Sequence, residues 1–110
     1  NNLSILPSGP IPPNPSELLD TKRMDAIIED LEEHYDLIIF DTPPLYVVTD
    51  AQVLSTKVDG VIFVIYANEE TKDKVSKAID LLNRVDANII GAILNGVENK
   101  KENYYYYAEE

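Results

Sequence analysis

The chain has 110 residues, 45% of them hydrophobic and 26% charged, which are the proportions of one soluble domain or part of one. Nine basic residues stand against twenty acidic ones, a net charge of −11, which argues against a nucleic-acid surface and against direct adsorption to anionic lipid. Cysteine is absent and His34 is the only histidine, so disulfides, thiol catalysis and cysteine-ligated zinc are excluded, and a Ser-His-Asp triad would depend on one residue in an acidic stretch.

Residues 3–6 (LSIL) form a short apolar run with the pattern of a strand. Five prolines follow within residues 7–15, making a stiff extended loop, suited to a subunit contact or to a plain surface connection. Asn14, Pro15 and Glu17 have the spacing of an N-cap, a first-turn proline and a capping-box acid. They open one predicted helix with Leu18, Met24, Ile27, Ile28, Leu31 and Tyr35 on its apolar face. Asp25, Glu29, Asp30, Glu32 and Glu33 make its other face acidic. Residues 37–40 (LIIF) are continuously apolar, as expected of a strand covered on both faces, and Asp41-Thr42-Pro43-Pro44 ends the run.

Thr49 and Gln52 give a second capping-box pattern, for a short helix ending near Lys57. Residues 61–65 (VIFVI) are a further apolar strand. Thr71 caps a helix with Val75, Ala78, Ile79, Leu82 and Val85 on one face, and residues 89–94 (IIGAIL) are the last strand, closed by Asn95 and Gly96. Strands alternating with helices, and apolar throughout, define an α/β fold with a parallel sheet and right-handed crossovers. Residues 98–110 lack core-forming periodicity and read as a flexible tyrosine-rich tail, Tyr104, Tyr105, Tyr106 and Tyr107 in a row. No apolar run has transmembrane length and no signal-peptide pattern opens the chain, so the sequence reads as cytoplasmic.

Ligands of such sheets bind beyond the carboxyl ends of the strands, where Asp41 and Thr42, then Tyr66, Ala67 and Asn68, then Asn95 fall. An aspartate directly after an apolar strand suits Mg²⁺, which favours oxygen ligands and retains waters. The alternative is that Asp41 caps a loop. Asn95 offers an amide to a heterocycle, or simply makes an Asn-Gly turn. The only glycines are Gly9, Gly60, Gly91 and Gly96, and none belongs to a GxxxxGK[ST] phosphate loop. A tyrosine hydroxyl accepts a phosphoryl group when deprotonated in line with a γ-phosphate, so the four-tyrosine run is either a phosphoacceptor or a terminal segment kept soluble by its glutamates.

The segments LSILPSGPIPPNPSELL, YDLIIFDTPP, VDGVIFVI, GAILNGV and the terminal YYYY together resemble the bacterial tyrosine kinases (BY-kinases) of capsular and exopolysaccharide synthesis. The resemblance implies a P-loop NTPase-like domain and ATP-dependent tyrosine autophosphorylation. It makes Asp41 the Walker B residue, catalytic through the Mg²⁺ it holds, and sets Asn95 at the nucleotide-base end. Tyr104, Tyr105, Tyr106 and Tyr107 then match the cluster phosphorylated between subunits. It further implies a membrane-anchored activator that brings the kinase to the inner face of the cell membrane, a ring-like homo-oligomer when unphosphorylated, and no nucleic-acid partner. The family's Walker A and second aspartate motifs precede the matched region, so residues 1–97 read as the carboxyl-terminal half of the kinase domain, inactive alone, with residues 98–110 as its tail. The resembled fold also sets its P-loop strand beside the strand ending at Asp41, and a chain without it is expected to show a gap there. The competing readings are a partition or cell-division P-loop ATPase, which needs no tyrosine tail, and a non-catalytic interaction module with a phosphorylated tail.

Overall fold

The structure is a computed structural model in which residues 2–98 are described. Four helices and two strands follow in chain order: α1 (Pro15–Leu19), α2 (Lys22–His34), α3 (Asp50–Ser55), β1 (Val61–Tyr66), α4 (Lys72–Asn83) and β2 (Ile89–Asn95). The two strands pair in parallel, with α4 as the crossover. Ile62 pairs with Gly91 and each later residue follows in step, until Tyr66 meets Asn95. The register slips once, between Val61 and Ile62, so that Ile90 is the extra residue. Gly60 makes room for it, since a Cβ there would stand 2.7 Å from Ile90 Cγ2.

The core lies among the helices. Ile28, Leu54, Ala78 and Leu82 are its buried apolar residues, with Ala78 and Leu82 each 1% exposed. Both fall on the face of α4 expected from its periodicity, and Thr71 Oγ1 accepts the Lys74 amide as its N-cap. The far end of α4 closes in a Schellman arrangement: the Asp86 amide donates to the Asn83 carbonyl and the Ala87 amide to that of Leu82. This puts Asp86 at φ 54°, the left-handed region that glycine occupies freely. Asp86→Gly is therefore expected to stabilise the whole protein by up to about 1 kcal/mol, read as a raised Tm. An unchanged or lowered Tm would show that the aspartate makes a compensating interaction.

The α/β class with a parallel sheet is as expected, but four particulars differ. The single expected helix after Asn14 is two. Thr21 Oγ1 donates to the Leu18 carbonyl at 2.8 Å and accepts the Met24 amide at 3.3 Å, so one hydroxyl closes α1 and caps α2. Asn14 makes no side-chain cap; its Nδ2 donates to Glu17 Oε2 at 2.7 Å instead. Thr49 and Gln52 do not form a capping box either, and α3 ends at Ser55. Their side chains are used between elements: Gln52 Nε2 donates to the Leu81 carbonyl, while Ser16 Oγ donates to Asp50 Oδ1 and meets Thr49 Oγ1 at 2.8 Å.

Two of the four expected strands do not form. Residues 3–6 and 37–40 are in neither helix nor strand. Leu37 and Ile39 are 75% and 80% exposed. An apolar strand is held by backbone pairing at its edges, and among the described residues neither segment has a partner. Among the described residues the segment ending at Asp41 does not pair with β1. The outer face of β1 is open as well, with Ile62, Val64 and Tyr66 about half exposed.

Candidate functional site at the carboxyl edge of the sheet

β1 and β2 end together. The Ala67 amide donates to the Asn95 carbonyl at 2.8 Å, extending the ladder one step beyond the Tyr66–Asn95 pair. The chain then turns at both strands. After β1, the amides of Glu69 and Glu70 both reach the Tyr66 carbonyl, and Asn68 takes φ 68°, which asparagine tolerates better than most residues. After β2, Asn95 Oδ1 accepts the Gly96 amide at 2.9 Å, and Gly96 takes φ 68°. The Asn-Gly turn expected from sequence is therefore real. It uses the oxygen of the Asn95 amide and leaves the amide N–H groups without a protein partner among the described residues.

Asp41 is exposed at the end of segment 37–40, and Thr42 is half-buried behind it. Among the described residues no hydrogen bond or ion pair joins Asp41 to Asn95. Nor does any group of three or more histidine or carboxylate side chains there form a metal cage. The donor set fits Mg²⁺ only in the form that leans on a nucleotide: one carboxylate from the protein, with phosphate oxygens and waters supplying the rest. Tyr104, Tyr105, Tyr106 and Tyr107 lie outside the described residues.

One cluster at this edge has no counterpart in the sequence reading. The Tyr46 hydroxyl donates to Glu70 Oε1 at 2.9 Å, and Lys74 Nζ stands 3.8 Å from Glu70 Oε2. The same ammonium lies 5.3 Å from the centre of the Tyr46 ring, within cation–π range. The hydrogen bond to Glu70 raises the Tyr46 phenol above its ordinary value of 10.0, with desolvation and the charges of Glu70 and Glu69 acting in the same direction. The four-residue spacing of Glu70 and Lys74 is the one signal in the sequence that could have found part of it; Tyr46 comes from 24 residues away.

An open groove of about 370 Å³ is lined by Asp25, Ile28, Glu29, Glu32, Thr56 and Lys57. Neither Asp41 nor Asn95 lines it. Its one cation is already engaged, Lys57 Nζ donating to Asp25 Oδ1 at 2.5 Å with Asp20 4.0 Å away, and the pair ties α2 to the end of α3.

The fold is similar to that of kinase domains of known structure. In solved structures, the chain superposes on the kinase domain of the Escherichia coli tyrosine kinase ETK with a TM-score of 0.79 and 42% identity, over 92% of this chain and 40% of that one. The chimerical protein CapA2B2 is similar too, at TM-score 0.77 and 39% identity over 82% of this chain and 40% of that one. In sequence, it is 42% identical to the tyrosine-protein kinase YwqD of Bacillus subtilis (strain 168), over 96% of this chain and 45% of the relative. No protein-family model matches the chain. By sequence and by fold the chain is thus a relative of the bacterial tyrosine-protein kinases, and it spans about half or less of the length of the relatives it matches.

Proposed function

We propose that the chain is part of an ATP-dependent protein-tyrosine autokinase that regulates capsular or exopolysaccharide synthesis and export. The observation that carries the reading is the combined likeness to the ETK kinase domain, 42% identity on a fold matched at TM-score 0.79. In this reading Asp41 holds the Mg²⁺ of the nucleotide, and the free amide N–H groups of Asn95 hydrogen-bond the base. The bound Mg²⁺ supplies neutralisation of the charge on the transferring phosphoryl group. Tyr104, Tyr105, Tyr106 and Tyr107 receive that group. With no GxxxxGK[ST] loop in its 110 residues, the chain supplies no cradle for the β- and γ-phosphates, which must come from the remainder of the protein.

A membrane-anchored activator and a ring-like homo-oligomer at the inner face of the membrane complete the proposal. Among the described residues no helix is long and apolar enough to cross a membrane, and the net charge of −11 disfavours anionic lipid. Attachment through a partner fits both facts. The test is incubation of the whole protein with Mg-ATP, with and without a chelator. Phosphotyrosine that forms only with metal supports the proposal; ATP hydrolysis without phosphotyrosine would instead support a partition-type ATPase.

A further inference from the structure

Tyr46, Glu70 and Lys74 belong to neither the core nor the expected site, yet Glu70 is the most shielded carboxylate among the ion pairs, its side chain 17% exposed. Its Oε2 is closed off from water and accepts no hydrogen bond among the described residues. A carboxylate oxygen in that position needs a compensating charge, and Lys74 Nζ at 3.8 Å supplies it. Oε1 is engaged by Tyr46. The cluster therefore joins two pieces of chain, the loop carrying Tyr46 and the segment from Glu70 to Lys74 that opens α4.

Each piece leads directly to a residue of the ligand edge. Tyr46 is five residues beyond Asp41, and the intervening chain is stiff: Pro43 and Pro44 have fixed φ, and the Val47 amide closes a turn on the Pro44 carbonyl at 3.0 Å. Glu70 is held by its amide to the Tyr66 carbonyl, and Tyr66 is the residue that pairs with Asn95. Lys74 donates its amide to the cap of α4.

We propose that Tyr46, Glu70 and Lys74 form a latch that fixes the segment carrying Asp41 to the end of β1, with Tyr46 and Glu70 as positioning residues for the Mg-nucleotide. The contact is made by a side chain five residues beyond Asp41 and does not depend on how segment 37–40 is paired. The inference rests on the proposed role of Asp41.

The test uses the whole protein with Tyr46→Phe, Glu70→Gln and the double substitution, all close in shape to the native residues. Amide exchange over residues 41–49 is expected to quicken about tenfold in each single variant, the size of one charge-assisted hydrogen bond, and no further in the double. The KM for Mg-ATP should rise by a similar factor, with kcat for tyrosine transfer changed less. In Glu70→Gln the Tyr46 phenol, followed by NMR, should titrate at lower pH than in the native protein. Unchanged exchange over residues 41–49 in both single variants would overturn the latch. Quickened exchange with an unchanged KM for Mg-ATP would overturn the positioning role. An Asp41→Asn control that keeps full activity would remove the role of Asp41 itself, and the exchange result would still decide whether the latch exists.

Discussion

Asp41→Asn in the whole protein is expected to lower Mg-ATP-dependent tyrosine phosphorylation by at least about a hundredfold, the scale for losing one preorganised electrostatic contact to transferring charge. Asparagine has the shape of aspartate but not its charge, so the change removes the anionic metal ligand and little else. Asp41 is exposed and makes no ion pair among the described residues, so the folding stability should stay within about 0.5 kcal/mol of native. Lost activity with an unchanged melt assigns the carboxylate to the metal. Full activity would remove Asp41 from the chemistry, and lost activity with lost fold would make it structural.

The second large effect concerns the 110-residue chain by itself. Leu37 and Ile39 are 75% and 80% exposed, Ile62, Ile90, Ile93 and Leu94 are each more than half exposed, and among the described residues neither segment 37–40 nor the free edge of β1 is paired. Each such side chain forgoes on the order of 1 kcal/mol of burial, and unpaired apolar strands are templates for association. The isolated chain is expected to self-associate at micromolar concentration, to melt without a sharp transition, and to bind Mg-ATP negligibly. Light scattering, calorimetry and titration with nucleotide check these three outcomes. A monomer with a cooperative melt would show that the helical core around Ala78 and Leu82 suffices to hold the fold.

What the sequence made legible follows from how local each signal is. β1, α4 and β2 were readable because an apolar run or a helical period, with Thr71 as cap, is complete within its own segment. The break at Thr21 was not, since its hydroxyl serves two helices at once and the apolar spacing runs through it unbroken. Thr49 and Gln52 carried a sound capping pattern, but their side chains are used between elements, where sequence spacing gives no guide. Segment 37–40 had the composition of a strand, and composition cannot provide a partner. For the proposed site, the ends of apolar runs pointed to Asp41 and Asn95, while the contact of Tyr46 with Glu70 depends on two loops meeting across the fold.

Under the proposed function, the length of the segment between β2 and the tail tyrosines bears on the direction of phosphoryl transfer. Residues 96–103 separate the end of β2 from the first tail tyrosine and span at most about 26 Å, at roughly 3.3 Å per residue. A tether that short restricts return to its own site and favours insertion into a neighbouring subunit. Each phosphate would add nearly two negative charges to a chain already at −11, with Lys100 and Lys101 as the nearby cations, so phosphorylated tails should repel neighbouring subunits.

The most direct measurement mixes whole protein carrying Asp41→Asn and an intact tail with whole protein that is active but ends before Tyr104, and maps phosphate by mass spectrometry while following oligomer mass. The account predicts phosphate on Tyr104, Tyr105, Tyr106 or Tyr107 of the Asp41→Asn partner, and a lower oligomer mass once the tails are modified. Tails left unmodified in the mixture although the native protein phosphorylates itself, or an unchanged oligomer after full phosphorylation, would contradict it.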